Sequence, residues 1–109
     1  GYEPDLPEMG RRGSTGAISG LANFMPRVVG RLVMQPDAAS VPGERDRVIG
    51  LIRSLDAYSL MPALKGIMVS LTGDAAWLRV RAPLVALTPA QLAAIGQVVR
   101  EFSLDLAKD

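Results

Sequence analysis

Apolar residues recur at helical spacing along most of this chain, separated by short stretches rich in glycine and proline. Leu6 and Met9, three apart and just after Pro4, predict a short helix over Pro4–Arg11 that turns at Arg11, Arg12 and Gly13. Val28, Val29, Leu32 and Val33 mark one face of a second helix, with Pro26 in its first turn and Asn23 as its cap. The stretch QPDAASVPGE, Gln35 to Glu44, collects turn formers and predicts a surface loop. From Glu44 to about Ala57, the residues Val48, Ile49, Leu51, Ile52 and Leu55 trace a helical stripe that leaves Arg45, Arg47, Arg53 and Asp56 off it. A further helix is predicted from Leu60 to Thr72. It carries Leu64, Ile67, Met68 and Leu71, has Pro62 near its start and stops at Gly73. The clearest start signal is TPAQL, in which Thr88 caps, Pro89 takes the first helical position and Gln91 completes a capping box. Leu92, Ile95, Val99, Phe102 and Leu106 then form a long apolar face.

Two segments depart from the helical spacing. Gly16–Ser19, with Ala17 to Ser19 at its heart, is short, apolar and bounded by small residues, which predicts a buried strand. A lone strand leaves backbone groups unpaired, at roughly 1 to 3 kcal/mol for each one buried, so partner strands are expected. A helix, a short apolar strand and a helix, in that order, make one repeat of a parallel α/β barrel, whose strands pair only after long crossovers. A complete eight-stranded barrel takes about 250 residues, so the other strands are expected from chain outside this sequence. The second segment is the connector GDAAWLRVRAPLVAL, which is long for a compact domain and is expected to pack through Trp77, Leu78 and Leu84.

Composition narrows the chemistry. With 12 basic and 11 acidic residues interspersed, the 109-residue chain carries a formal charge of +1. It has neither the concentrated positive field of a nucleic-acid binder nor an acidic tail, so no nucleic-acid partner is expected. Cysteine and histidine are both absent, which removes disulfides, thiolate chemistry, most zinc sites and imidazole bases. Chemistry would rest on Lys, Tyr, Ser, Thr, Asp or Glu. Apolar runs such as Ala82 to Leu87 are far shorter than a membrane span, and no signal peptide opens the chain. The expected location is the cytoplasm, with no membrane partner. The chain begins at Gly1 rather than methionine, which suggests processing or a missing beginning.

Lys65 is the only lysine before the tail, but its setting in PALKG reads as structural rather than nucleophilic. Tyr2 and Tyr58 have no visible base beside them, and Tyr58 reads as a packing residue at a helix junction. The glycines Gly13, Gly16 and Gly20 lack the pattern of a phosphate loop and predict close strand packing. Arg11 and Arg12 read as complements to a helix C-terminus rather than as ligands of an anionic substrate.

The segment GYEPDLPEMGRRGSTGAISGLANFMP resembles the end of the barrel in the dihydrodipicolinate synthase and N-acetylneuraminate lyase family of pyruvate-dependent class I aldolases. Gly16, Ile18, Ser19, Ala22, Asn23 and Pro26 follow the family's pattern for the eighth strand and the start of the eighth helix, with Ser14 where glycine is common. Downstream, PALKGIMVSLTG, VRAPLVALT and the final helix follow in the family's order. The resemblance implies an α/β fold, the last strand and helix of a (β/α)8 TIM barrel followed by a C-terminal helical region, with the chain itself mainly α. Residues 1–34 would hold helix 7, strand 8 and helix 8, and residues 35–109 the C-terminal helical region.

By the same resemblance the complete protein would bind pyruvate or another 2-keto acid as a lysine imine and join it to, or release it from, an aldehyde. It would need no metal and no cofactor, because the protonated imine is the electron sink, and it would assemble as a homo-oligomer, a tetramer in the family. Gly1 and Ile18 would line the keto-acid pocket. A glycine lets backbone approach the ligand closely, and an apolar side chain helps keep an amine neutral by desolvation. The family's imine-forming lysine, its catalytic tyrosine and its carboxylate-binding segment all precede this stretch, so no catalytic residue is expected in the chain and the reaction would need the remainder of the barrel. The rival expectations are a small helical association domain, in which Ala17 to Ser19 merely links helices, and a non-catalytic barrel homologue.

Overall fold

The computed structural model describes residues 1–102 and 104, and every regular element among them is helical. Five α-helices run in order, α1 Leu6–Arg11, α2 Pro26–Met34, α3 Val41–Leu55, α4 Leu60–Thr72 and α5 Pro89–Glu101. Short 3-10 turns occupy Glu3–Asp5, Leu21–Asn23 and Ala75–Leu78. The chain divides into two compact units, Gly1–Gly50 and 51–102, with the division inside α3.

The α/β expectation is overturned, because no strand and no sheet occurs among the described residues. Gly16–Ser19 is irregular, and Ile18 is 96% exposed. The predicted penalty applied to buried backbone, whereas the backbone here lies where water can satisfy it. A strand is defined by its ladder, and no second extended run pairs with the segment among the described residues.

In the first unit, Leu6 and Pro7 of α1 are buried and α1 packs on α2. Gly10 permits that approach, since a Cβ there would collide with the backbone carbonyl of Val33. The expected face of α2 is observed, with Val28, Val29, Leu32 and Val33 buried beside Phe24 and Met25. The cap of α2 is corrected from Asn23 to Met25. Asn23 lies in the preceding 3-10 turn, where its Nδ2 donates to the Gly20 carbonyl at 2.9 Å. Pro26 sets the helix start, because its fixed φ suits the first position and its missing N–H is not needed there. The following loop is shorter than predicted, and α3 begins at Val41 rather than Glu44. Pro42 falls in the first turn, where proline costs no helical hydrogen bond, and buried Val41 anchors the start.

In the second unit, Leu51, Leu55, Ala63, Leu64, Ile67 and Ile95 are buried. Helix α4 has its predicted bounds and ends at Gly73, whose φ of 74° closes the helix with an N–H to the Val69 carbonyl at 2.8 Å. α5 and the 3-10 turn Ala75–Leu78 both pack on α4. The capping box of α5 forms as predicted. The Gln91 N–H donates to Thr88 Oγ1 at 3.2 Å, and the Thr88 N–H donates to Gln91 Oε1 at 2.9 Å. The connector packs on α4 through the turn that carries Trp77 and Leu78, as expected, although Trp77 and Leu84 are each 39% exposed. Leu87 adds a second anchor, because its Cδ1 fills the space over Gly66. Leu106 lies outside the described residues.

Candidate functional site

The two predicted pocket residues, seventeen positions apart, are neighbours in the first unit. The N-terminal ammonium of Gly1 donates to the Ile18 carbonyl at 2.8 Å. One residue beyond Ile18 and two beyond Gly1, the Ser19 hydroxyl donates to Glu3 Oε1 at 2.7 Å in a partly buried setting. A hydrogen bond to a carboxylate is stronger than one between neutral groups, so this link ties the segment after Gly13 to the segment before α1. The Ser19 carbonyl accepts from the Ala22 N–H at 3.3 Å and leads into the 3-10 turn ahead of α2. The segment is thus held at Gly1, Glu3 and Ala22 while the Ile18 side chain faces outward.

What this arrangement can do is limited. It offers an apolar side chain, a glycine with open space around its Cα and a backbone hydrogen bond. Of the residue types that could act as nucleophiles, its hydrogen bonds include the Ser19 hydroxyl, bonded to the Glu3 carboxylate, and neither lysine nor tyrosine. The Glu3–Ser19 pair escaped sequence reasoning, since the two residues are sixteen positions apart and neither carries a helix or turn signal that points to the other.

The remaining candidates are accounted for structurally. Lys65 Nζ donates to the Arg79 backbone carbonyl, which holds the connector against α4. Tyr58 is half-buried in the turn between α3 and α4, and Tyr2 is exposed. Arg11 donates from Nε to Asp37 at 2.9 Å and from Nη2 to the Pro36 carbonyl at 3.0 Å, while Arg12 Nε meets Glu8 at 2.8 Å. Both arginines are therefore engaged by neighbouring groups. The close-packing reading of the glycines is corrected, since a Cβ on Gly13 or Gly16 would meet nothing within 4 Å. Gly13 serves the turn after α1 with a φ of 95°.

An open groove of about 340 Å³ lies elsewhere in the same unit, lined in part by Pro4, Glu8, Arg11, Val41, Arg45 and Asp46. Arg45 Nε donates to the Pro4 carbonyl at 2.7 Å across it. The lining mixes both signs of charge and includes neither Gly1 nor Ile18. Among the described residues, no helix is long and apolar enough to cross a membrane.

No family model matches the chain, and no curated protein does. Among solved structures the chain is similar to the crystal structure of dihydrodipicolinate synthase from Agrobacterium tumefaciens str. C58. The TM-score is 0.80 and the identity 32%, over 93% of this chain and 33% of that one. The chain therefore spans about a third of that enzyme's length. A likeness of this extent in both fold and sequence supports the dihydrodipicolinate synthase family at the level of structure.

Proposed function

We propose that this chain is the C-terminal portion of a Schiff-base-forming lyase that acts on pyruvate or a related 2-keto acid and an aldehyde. The observation that carries the reading is the 32% identity to dihydrodipicolinate synthase over 93% of this chain. In this reading a lysine amine from outside the sequence attacks the ketone, water leaves, and the protonated imine draws electrons from the adjacent carbon. That carbon loses a proton and bonds to the aldehyde, and cleavage runs the same steps backwards.

Within that scheme Gly1 lets the backbone come close to the keto acid, and Ile18 lies beside the imine, where its apolar side chain helps keep the amine neutral. Residues 1–34 belong with the catalytic part and residues 35–109 form a C-terminal helical region. The complete protein acts as a homo-oligomer in the cytoplasm. The 109-residue chain alone is inactive, because the positions of the family's imine-forming lysine and catalytic tyrosine lie outside it; Lys65 instead holds the Arg79 carbonyl.

The test is intact mass after incubation with pyruvate and borohydride, which reduces and locks a lysine imine. The longer polypeptide that carries this sequence gains one reduced pyruvate, and the 109-residue chain gains none. A longer polypeptide that stays at its own mass overturns the reading. A second reading, a helical association module, is favoured by the wholly helical set of elements among the described residues. It predicts no adduct on any species and a defined complex with a protein partner.

A further inference from the structure

We propose that residues 79–87 form a strap on the second unit that is latched to α4 by the Lys65 amine and opens, apart from α4 and α5, when the latch is lost. The strap contains neither Gly1 nor Ile18, so the device stands independently of the proposed function. Its two attachments fall on consecutive residues of α4. At the entry, Lys65 Nζ donates to the Arg79 carbonyl. At the exit, Leu87 Cδ1 occupies the space over Gly66, where a Cβ would come within 2.5 Å of it, and Ile95 of α5 borders the same space.

Between these attachments the strap has little of its own to hold it. It contains no regular element, and while Val80 and Leu87 are half-buried, the residues from Arg81 to Ala86 are exposed. The Leu84 N–H donates to the Arg81 carbonyl at 2.9 Å, which closes a turn inside the strap and ties it to nothing else. The Arg79 N–H donates to the Ala76 carbonyl at 3.2 Å, which joins the strap only to the 3-10 turn it leaves, a turn with no buried residue. Among the described residues, the Lys65 bond is therefore the strap's one hydrogen bond to an α-helix, and a charged donor makes it stronger than a bond between neutral groups. The helices on either side are finished without the strap. α4 closes at Gly73 on the Val69 carbonyl, and α5 opens on its own capping box. A segment with exposed backbone and few buried apolar contacts opens at a lower free energy than the helices it joins, so loss of one attachment frees the strap before it loosens the unit.

The strap carries its own reporter, because Arg79 and Arg81 are exposed tryptic sites inside it. Trypsin cuts there only in the open form, at a rate that follows the population of that form. The test uses the longer polypeptide that carries this chain and reads the masses of the fragments over time. Lys65→Met, which keeps the stem and removes the donor, speeds cutting after Arg79 and Arg81 roughly tenfold, the lower end of what a hydrogen bond to a charged group contributes. Lys65→Arg, which keeps a charged donor, restores most of the resistance. Leu87→Ala, which removes the other attachment, also speeds both cuts. Amide hydrogen exchange in α5, from Leu92 to Val99, stays at its wild-type rate in Lys65→Met and reports whether the strap moves alone. Cutting at the same rate in Lys65→Met as in the wild type, including no cutting in either, overturns the latch. Wild-type cutting rates in Leu87→Ala overturn the attachment at the exit. Faster cutting joined to faster exchange throughout α5 overturns the separate opening of the strap, because the unit then loosens as a whole.

Discussion

At the scale of single residues, the structure separates glycines that composition cannot tell apart. Gly10 faces the Val33 carbonyl so closely that an added methyl must displace backbone. Gly10→Ala is expected to cost about 1–3 kcal/mol, the usual range for overpacking against a rigid neighbour. Gly16→Ala, with open space around it, should change stability by less than about 0.5 kcal/mol. Urea midpoints of the two variants check the contrast, and equal midpoints would refute the α1 and α2 approach as described. Glu44 makes a different kind of contribution. Its Oε1 lies 2.7 Å from Arg31 Nη2, with the Glu44 side chain 11% and the Arg31 side chain 37% exposed, while Oε2 is buried without a partner. Deleting one member of a buried pair is costly, but the partial exposure of Arg31 lets water reach its guanidinium once the carboxylate is gone. Glu44→Ala should therefore lose roughly 1–2 kcal/mol, less than a fully buried pair would. None of these sites was visible in advance, since each depends on a neighbour far away in sequence.

At the scale of elements, local signals performed well wherever the chemistry was local. Thr88, Pro89 and Gln91 announced α5, and both bonds of the capping box are formed. Thr88→Ala should cost about 0.5–2 kcal/mol, and amide exchange in the first turn of α5 should rise before the rest of the helix is affected. Uniform exchange along α5 in that variant would show that the cap does not hold the end. Gly73 was placed correctly as the stop of α4, and its left-handed φ explains why. Asn23 failed as a cap because it lies in the 3-10 turn Leu21–Asn23, two residues ahead of Met25, which takes the capping position before Pro26. The start of α3 failed because Pro42 and Gly43 were read as loop formers, although proline is harmless in a first turn. The connector packs through the turn that carries Trp77 and Leu78, as expected, whereas the residue that fits the space over Gly66 is Leu87, which no local signal marked.

At the scale of the whole molecule, several large apolar side chains are left in water. Ile18 is 96%, Val85 79% and Met34 62% exposed. Ile18, almost wholly exposed, packs against nothing among the described residues, so the 109-residue chain is expected to self-associate as its concentration rises, as read by light scattering. Ile18→Ser should lessen the effect without changing the urea midpoint by more than about 0.5 kcal/mol. A chain that scatters as a monomer across the concentration range would argue that these residues are ordinary exposed apolar positions.

The sequence by itself determined the helices, their caps at Thr88 and Gly73, the buried stripes of α2 and α4, and the absence of thiol and imidazole chemistry. These depend on spacing and residue type within a few positions, where periodicity and backbone preference act directly. It also carried the segment of family pattern around Ile18. Only the tertiary structure decided that Gly16–Ser19 is an exposed, irregular stretch and not a strand, because a strand exists through a partner that periodicity cannot supply. Only the tertiary structure brought Gly1 to Ile18 and Glu3 to Ser19. Hydrogen bonds across sixteen and seventeen residues arise from how the chain folds back on itself, which no local pattern encodes.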